Sequence, residues 1–331
     1  MNEQGTAKES NPSTLPKHAL RERIGLSIHA IAGVDASTLV DLIVQSEEAG
    51  VKQVWATQGG ASTDLLTAYA AAFQRTGEIR LGTSIVPIYP RHPLALAQQA
   101  ATAASLGPGR LRLGVGTSHR PTIENVYGLK MDEPLAYLAE YVTVLRAALS
   151  EGIVDHQGRF FTARVKMSHP QPVPVLIAAL GEKAFRISGE ISDGAISWNV
   201  PARHLLEVAL PALRAGAESA GRPAPPLVAH VPVMLSDDPN ARAAAKKALG
   251  VYARLPFYYN MWAAAGYPLE ADGSVSDALV DNLVVMGDEA TVAARLHRLL
   301  ESGLDELLLN GLPVADSVSE RTRLIHFIGS L

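Results

Sequence analysis

The feature that most constrains this chain is a repeating unit. From Arg23 onward, short and nearly continuous apolar runs alternate with longer amphipathic stretches. Residues 24–28 (IGLSI), 51–56 (VKQVWA), 80–86 (RLGTSIV), 111–115 (LRLGV), 173–178 (VPVLIA), 194–197 (GAIS), 227–235 (LVAHVPVML) and 306–310 (ELLLN) read as strands. Helical patterns fill residues 38–49, 64–75, 93–105, 137–149, 183–192 and 202–220. Strands that are apolar throughout need cover on both faces, which implies parallel pairing with helical crossovers. A doubly wound open sheet usually has roughly five or six strands, whereas eight units match a closed (β/α)8 TIM barrel with insertions.

Two stretches exceed the repeat. Residues 151–172 hold Asp155-His156-Gln157-Gly158-Arg159-Phe160-Phe161, which reads as a small hairpin. Residues 253–276, with Phe257-Tyr258-Tyr259-Asn260-Met261-Trp262, read as an excursion that is either a pocket lid or a satellite core. Neither has the composition of an interdomain linker, so residues 23–331 are expected to form one domain. Residues 1–22 are polar, of mixed charge and without an apolar core segment, and are expected to be a disordered leader rather than a signal peptide.

Composition removes several chemistries. With no cysteine, the chain has no disulfides, thiolate metal sites or cysteine nucleophile. A net charge of −4 leaves no basic footprint for nucleic acid or anionic lipid. No apolar run reaches the length of about 20 residues that crosses a bilayer. A cytoplasmic location is the expectation. None of the ten histidines stands in an HExxH arrangement, and no metal site is expected.

In a barrel, chemistry gathers where strands end and βα loops begin. That rule selects His29, Thr57-Gln58-Gly59-Gly60, Ser84-Ile85, Gly116-Thr117-Ser118-His119, Leu180-Gly181-Glu182-Lys183, Trp198-Asn199 and Asn310-Gly311. The run Gly114-Val115-Gly116 is not a dinucleotide fingerprint, because His119 stands where a third glycine and a helix should begin. It is either a tight turn or a place where backbone amides, with the Thr117 and Ser118 hydroxyls, approach a ligand. Gly181 opens a helix whose free N–H groups, with Lys183, suit a phosphate, though Lys183 reads equally well as a solvated charge. His29 and His119 face one mouth, either as ligands or as hydrogen-bonded structural histidines. Trp55 and Trp198 read more readily as core or rim packing than as cofactor stackers.

Taken together these segments resemble the luciferase-like monooxygenase superfamily, in particular its branch that uses coenzyme F420, an 8-hydroxy-5-deazaflavin. The likeness runs through residues 80–86 (RLGTSIV), 91–100 (RHPLALAQQA), 109–117 (GRLRLGVGT), 175–184 (VLIAALGEKA), Gly189-Glu190, Asp193-Gly194 and the closing stretch from Gly287-Asp288 to Glu306. The resemblance implies a TIM barrel and a non-prolyl cis peptide at Ser84-Ile85 under the deazaflavin ring. It also implies that Gly116, Thr117 and Ser118, with Ala179, Leu180 and Gly181, hold the phosphate-bearing arm. His29, Lys183 and Trp198 complete the expected cofactor contacts. The expected partner is a small-molecule substrate; dimers are common in similar proteins, which leaves the oligomeric state open with a homodimer as one option.

The departures from the family pattern bear on the reaction. Related sugar-phosphate and alcohol dehydrogenases carry an acid–histidine pair after the second strand, where this chain has Gln58 and Gly59. Alcohol oxidation needs a base for the hydroxyl proton. His119 stands where those dehydrogenases place a glutamate, and it is the expected proton donor to a substrate reduced by F420H2. Thr57 and Gln58, with Trp198, are expected to position that substrate. The chain is therefore read as an F420-dependent reductase. The alternatives are an FMN-dependent monooxygenase on the same barrel and a catalytically idle ligand-binding barrel. The mouth is expected to be lined by Trp55, Tyr89, Tyr127 and either Tyr258 or Trp262, which suits an apolar or aromatic substrate.

Overall fold

A computed structural model describes residues 17–28, 34–60 and 62–331. Eight strands form the barrel: β1 (Ile24–Ile28), β2 (Gln53–Ala56), β3 (Arg80–Thr83), β4 (Leu111–Gly116), β5 (Val175–Ala178), β6 (Ala195–Ser197), β7 (Leu227–Met234) and β8 (Glu306–Gly311). Each pairs in parallel with the next, and β8 pairs with β1, so the sheet closes on itself. Closure leaves no edge strand and gives all eight carboxyl ends one rim.

The expected boundaries hold with local differences. The third strand stops at Thr83 and resumes at Val86–Pro87, with a bulge between them at the cis Ser84–Ile85 peptide. The stretch 202–220 is three pieces: a turn of helix at Ala202–His204, a π segment at Leu205–Ala209 and a helix at Leu210–Ser219. The hairpin is present, Ile153–Gln157 pairing antiparallel with Thr162–Lys166. The Glu140 carboxylate ties its turn down, accepting from the backbone N–H groups of Arg159, Phe160 and Phe161.

Part of the expected leader is structured. Lys17–Arg23 is helical, Leu20 is buried, and the Arg23 guanidinium donates to the backbone oxygens of Leu304 and Asp305. Its polar composition hid this, since one leucine packs into the core and the rest is held by long-range hydrogen bonds.

Two cores flank the sheet. The larger lies between the strands and the surrounding helices. The smaller fills the barrel itself with Trp55, Leu176, Ile196, Val228 and Leu308. Trp55 is fully buried and occupies the space a side chain at Gly82 would need: a Cβ there would sit 2.2 Å from the indole. Trp55 thus plugs the barrel below the mouth instead of lining it. Beneath it, Arg112 forms a two-pronged pair with Glu306 at 2.7 and 2.9 Å. The same guanidinium lies 4.9 Å from the Trp55 ring centre, and Gln53 bridges the indole N–H (2.9 Å) to Glu306 (3.1 Å). The amino end of the barrel is thereby sealed by matched polar groups, and the carboxyl end is left for a ligand.

Candidate active site

Side chains alternate along a strand. Two residues beyond the plug layer, the same inward face therefore carries Thr57, Ser84, Gly116, Ala178, Trp198, His230 and Asn310. This ring is the floor of the mouth.

The bulge at Ser84–Ile85 forms the β3 part of this floor and is clamped from β2. The Thr57 hydroxyl donates to the Ser84 carbonyl at 2.9 Å, and the Gln58 N–H donates to the Ile85 carbonyl at 3.2 Å. The Gln58 amide is occupied elsewhere: its oxygen accepts from the Leu65 N–H at 3.0 Å and its nitrogen donates to the Thr63 carbonyl at 3.3 Å. Gln58, expected as a catalytic residue, is thus held by the start of the Leu65–Phe73 helix, and Thr57 by the bulge. Across the floor, a Cβ on Gly116 would stand 2.9 Å from that of Ala178 and 3.2 Å from the Ile85 side chain. Only glycine leaves that surface flat.

The loops after β4 and β5 stand on one side of the floor. Ser118 adopts a left-handed φ of 60°. The Ala179 N–H is already committed to the Ile196 carbonyl at 2.9 Å and cannot serve a ligand. The N–H groups of Leu180, Gly181, Glu182 and Lys183 meet no acceptor among the described residues. They begin the helix Glu182–Ile191, whose N-cap Gly181 supplies no side-chain cap and has open space where a Cβ would be. Lys183 is exposed and has no ion pair among the described residues. Free helix-start amides beside an unpaired lysine favour an anion.

His119 faces this floor from the β4 loop, half-buried, and no hydrogen bond engages its ring among the described residues. Burial holds its pKa below the ordinary histidine value, so near neutrality the ring is mostly uncharged. Its ring lies 5.9 Å from Tyr258, which lies 4.9 Å from Tyr252. Tyr252 in turn lies 6.2 Å from Trp198, and Trp198 lies 4.5 Å from His230. These rings form a continuous aromatic wall. Burial pushes the Tyr252 phenol up to about 12 and the Tyr258 phenol up further, so both stay protonated. The wall is fixed by Trp262, whose N–H donates to the Asn199 carbonyl at 2.8 Å, with Asn199 at a left-handed φ of 49°. The excursion after β7 is therefore both lid and satellite core: Tyr258 faces the mouth and fully buried Trp262 anchors it.

Of the remaining expected residues, His29 lies outside the described residues. Tyr89 stacks on Tyr137 at 4.4 Å as part of the cluster under the hairpin, and Tyr127 donates to the Gly60 carbonyl at 2.8 Å. His230 and Tyr252 were not singled out. His230 is buried, and its Nδ1 bonds the Ser197 carbonyl at 2.8 Å, which places the proton on that nitrogen. Its signal was available: it follows inward-facing Val228 by two residues in a wholly buried strand.

The sequence model of the luciferase-like monooxygenase family matches residues 19–306. An F420-dependent glucose-6-phosphate dehydrogenase from Kineococcus radiotolerans is 28% identical over 291 residues, covering 82% of this chain and 86% of that protein. In fold, the chain is similar to the coenzyme F420-dependent tetrahydromethanopterin reductase of Methanopyrus kandleri (TM-score 0.76, 20% identity, 93% of this chain and 97% of the other). It is also similar to the FMN-bound oxygenating component of 3,6-diketocamphane monooxygenase from Pseudomonas putida (TM-score 0.73, 16% identity, 93% and 97%). The closed barrel, the bulge after β3 and the family match agree, and this chain belongs to the luciferase-like monooxygenase family.

Proposed function

We propose that this chain is a coenzyme F420-dependent oxidoreductase working as an F420H2-dependent reductase of a small organic substrate. The curated relative named for F420 supports the cofactor. The residues present fit it: a floor kept flat by Gly116, and free amides at Leu180–Lys183 with an exposed lysine for an anionic arm. When bound, the deazaflavin exchanges hydride at its C5 carbon with the substrate.

The chain's own residues then divide the work. Ser84, Ile85 and Gly116 support the ring, and Thr117, Ser118, Leu180, Gly181 and Lys183 hold the arm. Ala179 contributes packing, since its N–H is spent within the barrel. Trp198, Tyr252 and Tyr258 exclude water on one side and favour an apolar substrate. His119 supplies the proton to the reduced substrate. Thr57 and Gln58 act as positioning residues through the bulge.

One observation carries the direction of reaction. The end of β2, where an acid–histidine pair would take a hydroxyl proton, holds a Gln58 whose amide is hydrogen-bonded at both atoms, followed by Gly59, which has no side chain. The test is to follow F420H2 absorbance while offering activated C=C and C=N compounds, and separately F420 with alcohols. Oxidation of F420H2 by the first group with no reduction of F420 by the second supports the reading. The reverse pattern ends it.

A further inference from the structure

A cavity of about 300 Å³ opens between the carboxyl ends of β1, β7 and β8 and the helix Ser317–Ser330. It lies apart from the loops after β4 and β5. Its size is at the lower end for small-molecule pockets. We propose that it binds the carboxylate of a small apolar acid, with Arg321 as counter-ion.

Most of the wall is apolar, from Leu26, Ile28, Val233, Leu235 and Leu324. The charges on it are unequal in what they are free to do. The Glu320 carboxylate accepts from the N–H groups of Val314, Ala315 and Asp316 at 2.8–3.1 Å. Arg323 is paired with Glu289 at 2.9 Å and donates to the Leu235 carbonyl at 2.8 Å. Arg321 is half-buried and has no ion pair or hydrogen bond among the described residues. A guanidinium with its fork unfilled at the edge of an apolar cavity matches a carboxylate's two oxygens.

Two further polar groups line it from the inward face of β1 and β8. Asn310 is 9% exposed and no hydrogen bond engages its amide among the described residues, while the Ser27 hydroxyl is buried and unpartnered. Buried polar groups of this kind are ordinarily satisfied. Both line this cavity. The helix start does not compete for the anion, because Asp316 already caps it through the Val318 N–H. A single free guanidinium balances a monoanion, and the aliphatic wall takes its tail. The cavity shares Asn310 with the floor of the mouth but contains no residue proposed to hold the cofactor, so binding here is measured in the absence of cofactor.

The test is calorimetric titration of the full chain, without cofactor, with hexanoate and with hexanamide. Hexanoate should bind at least tenfold tighter than hexanamide. Arg321→Gln should remove that preference without changing the affinity for hexanamide, and Arg321→Lys should restore part of it. Equal affinities in the unaltered protein, or a preference that survives in Arg321→Gln, would overturn the proposal.

Discussion

The Thr57 hydroxyl and the Ser84 carbonyl oxygen are 2.9 Å apart, a hydrogen bond that joins the end of the second barrel strand to the turn under the mouth. Replacing Thr57 with the isosteric Val removes the donor and little else. The expected cost is about 1 kcal/mol of stability, the usual net value of one such bond, seen as a lower denaturant midpoint at unchanged slope. Cofactor affinity should fall with it, because the carbonyl it holds belongs to the floor.

Gly116 tests the floor from the opposite side. A methyl group there meets Ala178 at 2.9 Å and Ile85 at 3.2 Å. Gly116→Ala is expected to destabilise the fold by roughly 1–3 kcal/mol through overpacking. F420 affinity, read by fluorescence titration, should fall more than the affinity change in Thr57→Val.

The seal at the amino end makes an opposite prediction. The Arg112–Glu306 pair is about five-sixths buried, at 15% and 16% side-chain exposure. Glu306→Ala leaves a guanidinium unmatched beneath Trp55 and should cost about 3 kcal/mol in chemical denaturation. Cofactor affinity should stay unchanged in the folded variant, since the pair lies at the far end of the barrel.

His119 sets the pH dependence. Burial depresses its pKa, so the protonated donor accumulates only below the ordinary histidine value. The reductive kcat should therefore fall as pH rises through that depressed value, and His119→Asn should lower kcat and flatten this limb. Stability carries a linked sign: the unfolded chain takes up a proton that the folded site refuses, so stability is present above about pH 6.5 and is lost as pH falls from there through the folded value. His119→Asn should remove that share of the acid sensitivity, measured as denaturation midpoints against pH.

The barrel was legible because it is written in a period: every strand and most helices fall within a few residues of their apolar runs. Chain ends and interruptions were not. The helix Lys17–Arg23 is set by Arg23 reaching backbone oxygens at Leu304 and Asp305, contacts with no local signature. Trp55 looked like a rim residue because its position follows from the residue across the barrel, Gly82, whose missing side chain admits the ring. The site was legible by position and less so by role. Loop ends after β2, β4, β5 and β6 gave Thr57, His119, Gly181 and Trp198, yet nothing in the sequence around Gln58 says that its amide is bound by Thr63 and Leu65. Tyr252 joins the wall only because the excursion after β7 folds back over the mouth.

Coenzyme preference tests the account most directly. The protein should be titrated with F420 and with FMN under the same conditions, following cofactor fluorescence, with Lys183→Glu run in parallel. Saturable F420 binding about tenfold or more tighter than FMN, weakened in Lys183→Glu, is the expected result. FMN binding as tight as F420, or F420 binding indifferent to the charge at residue 183, would contradict it.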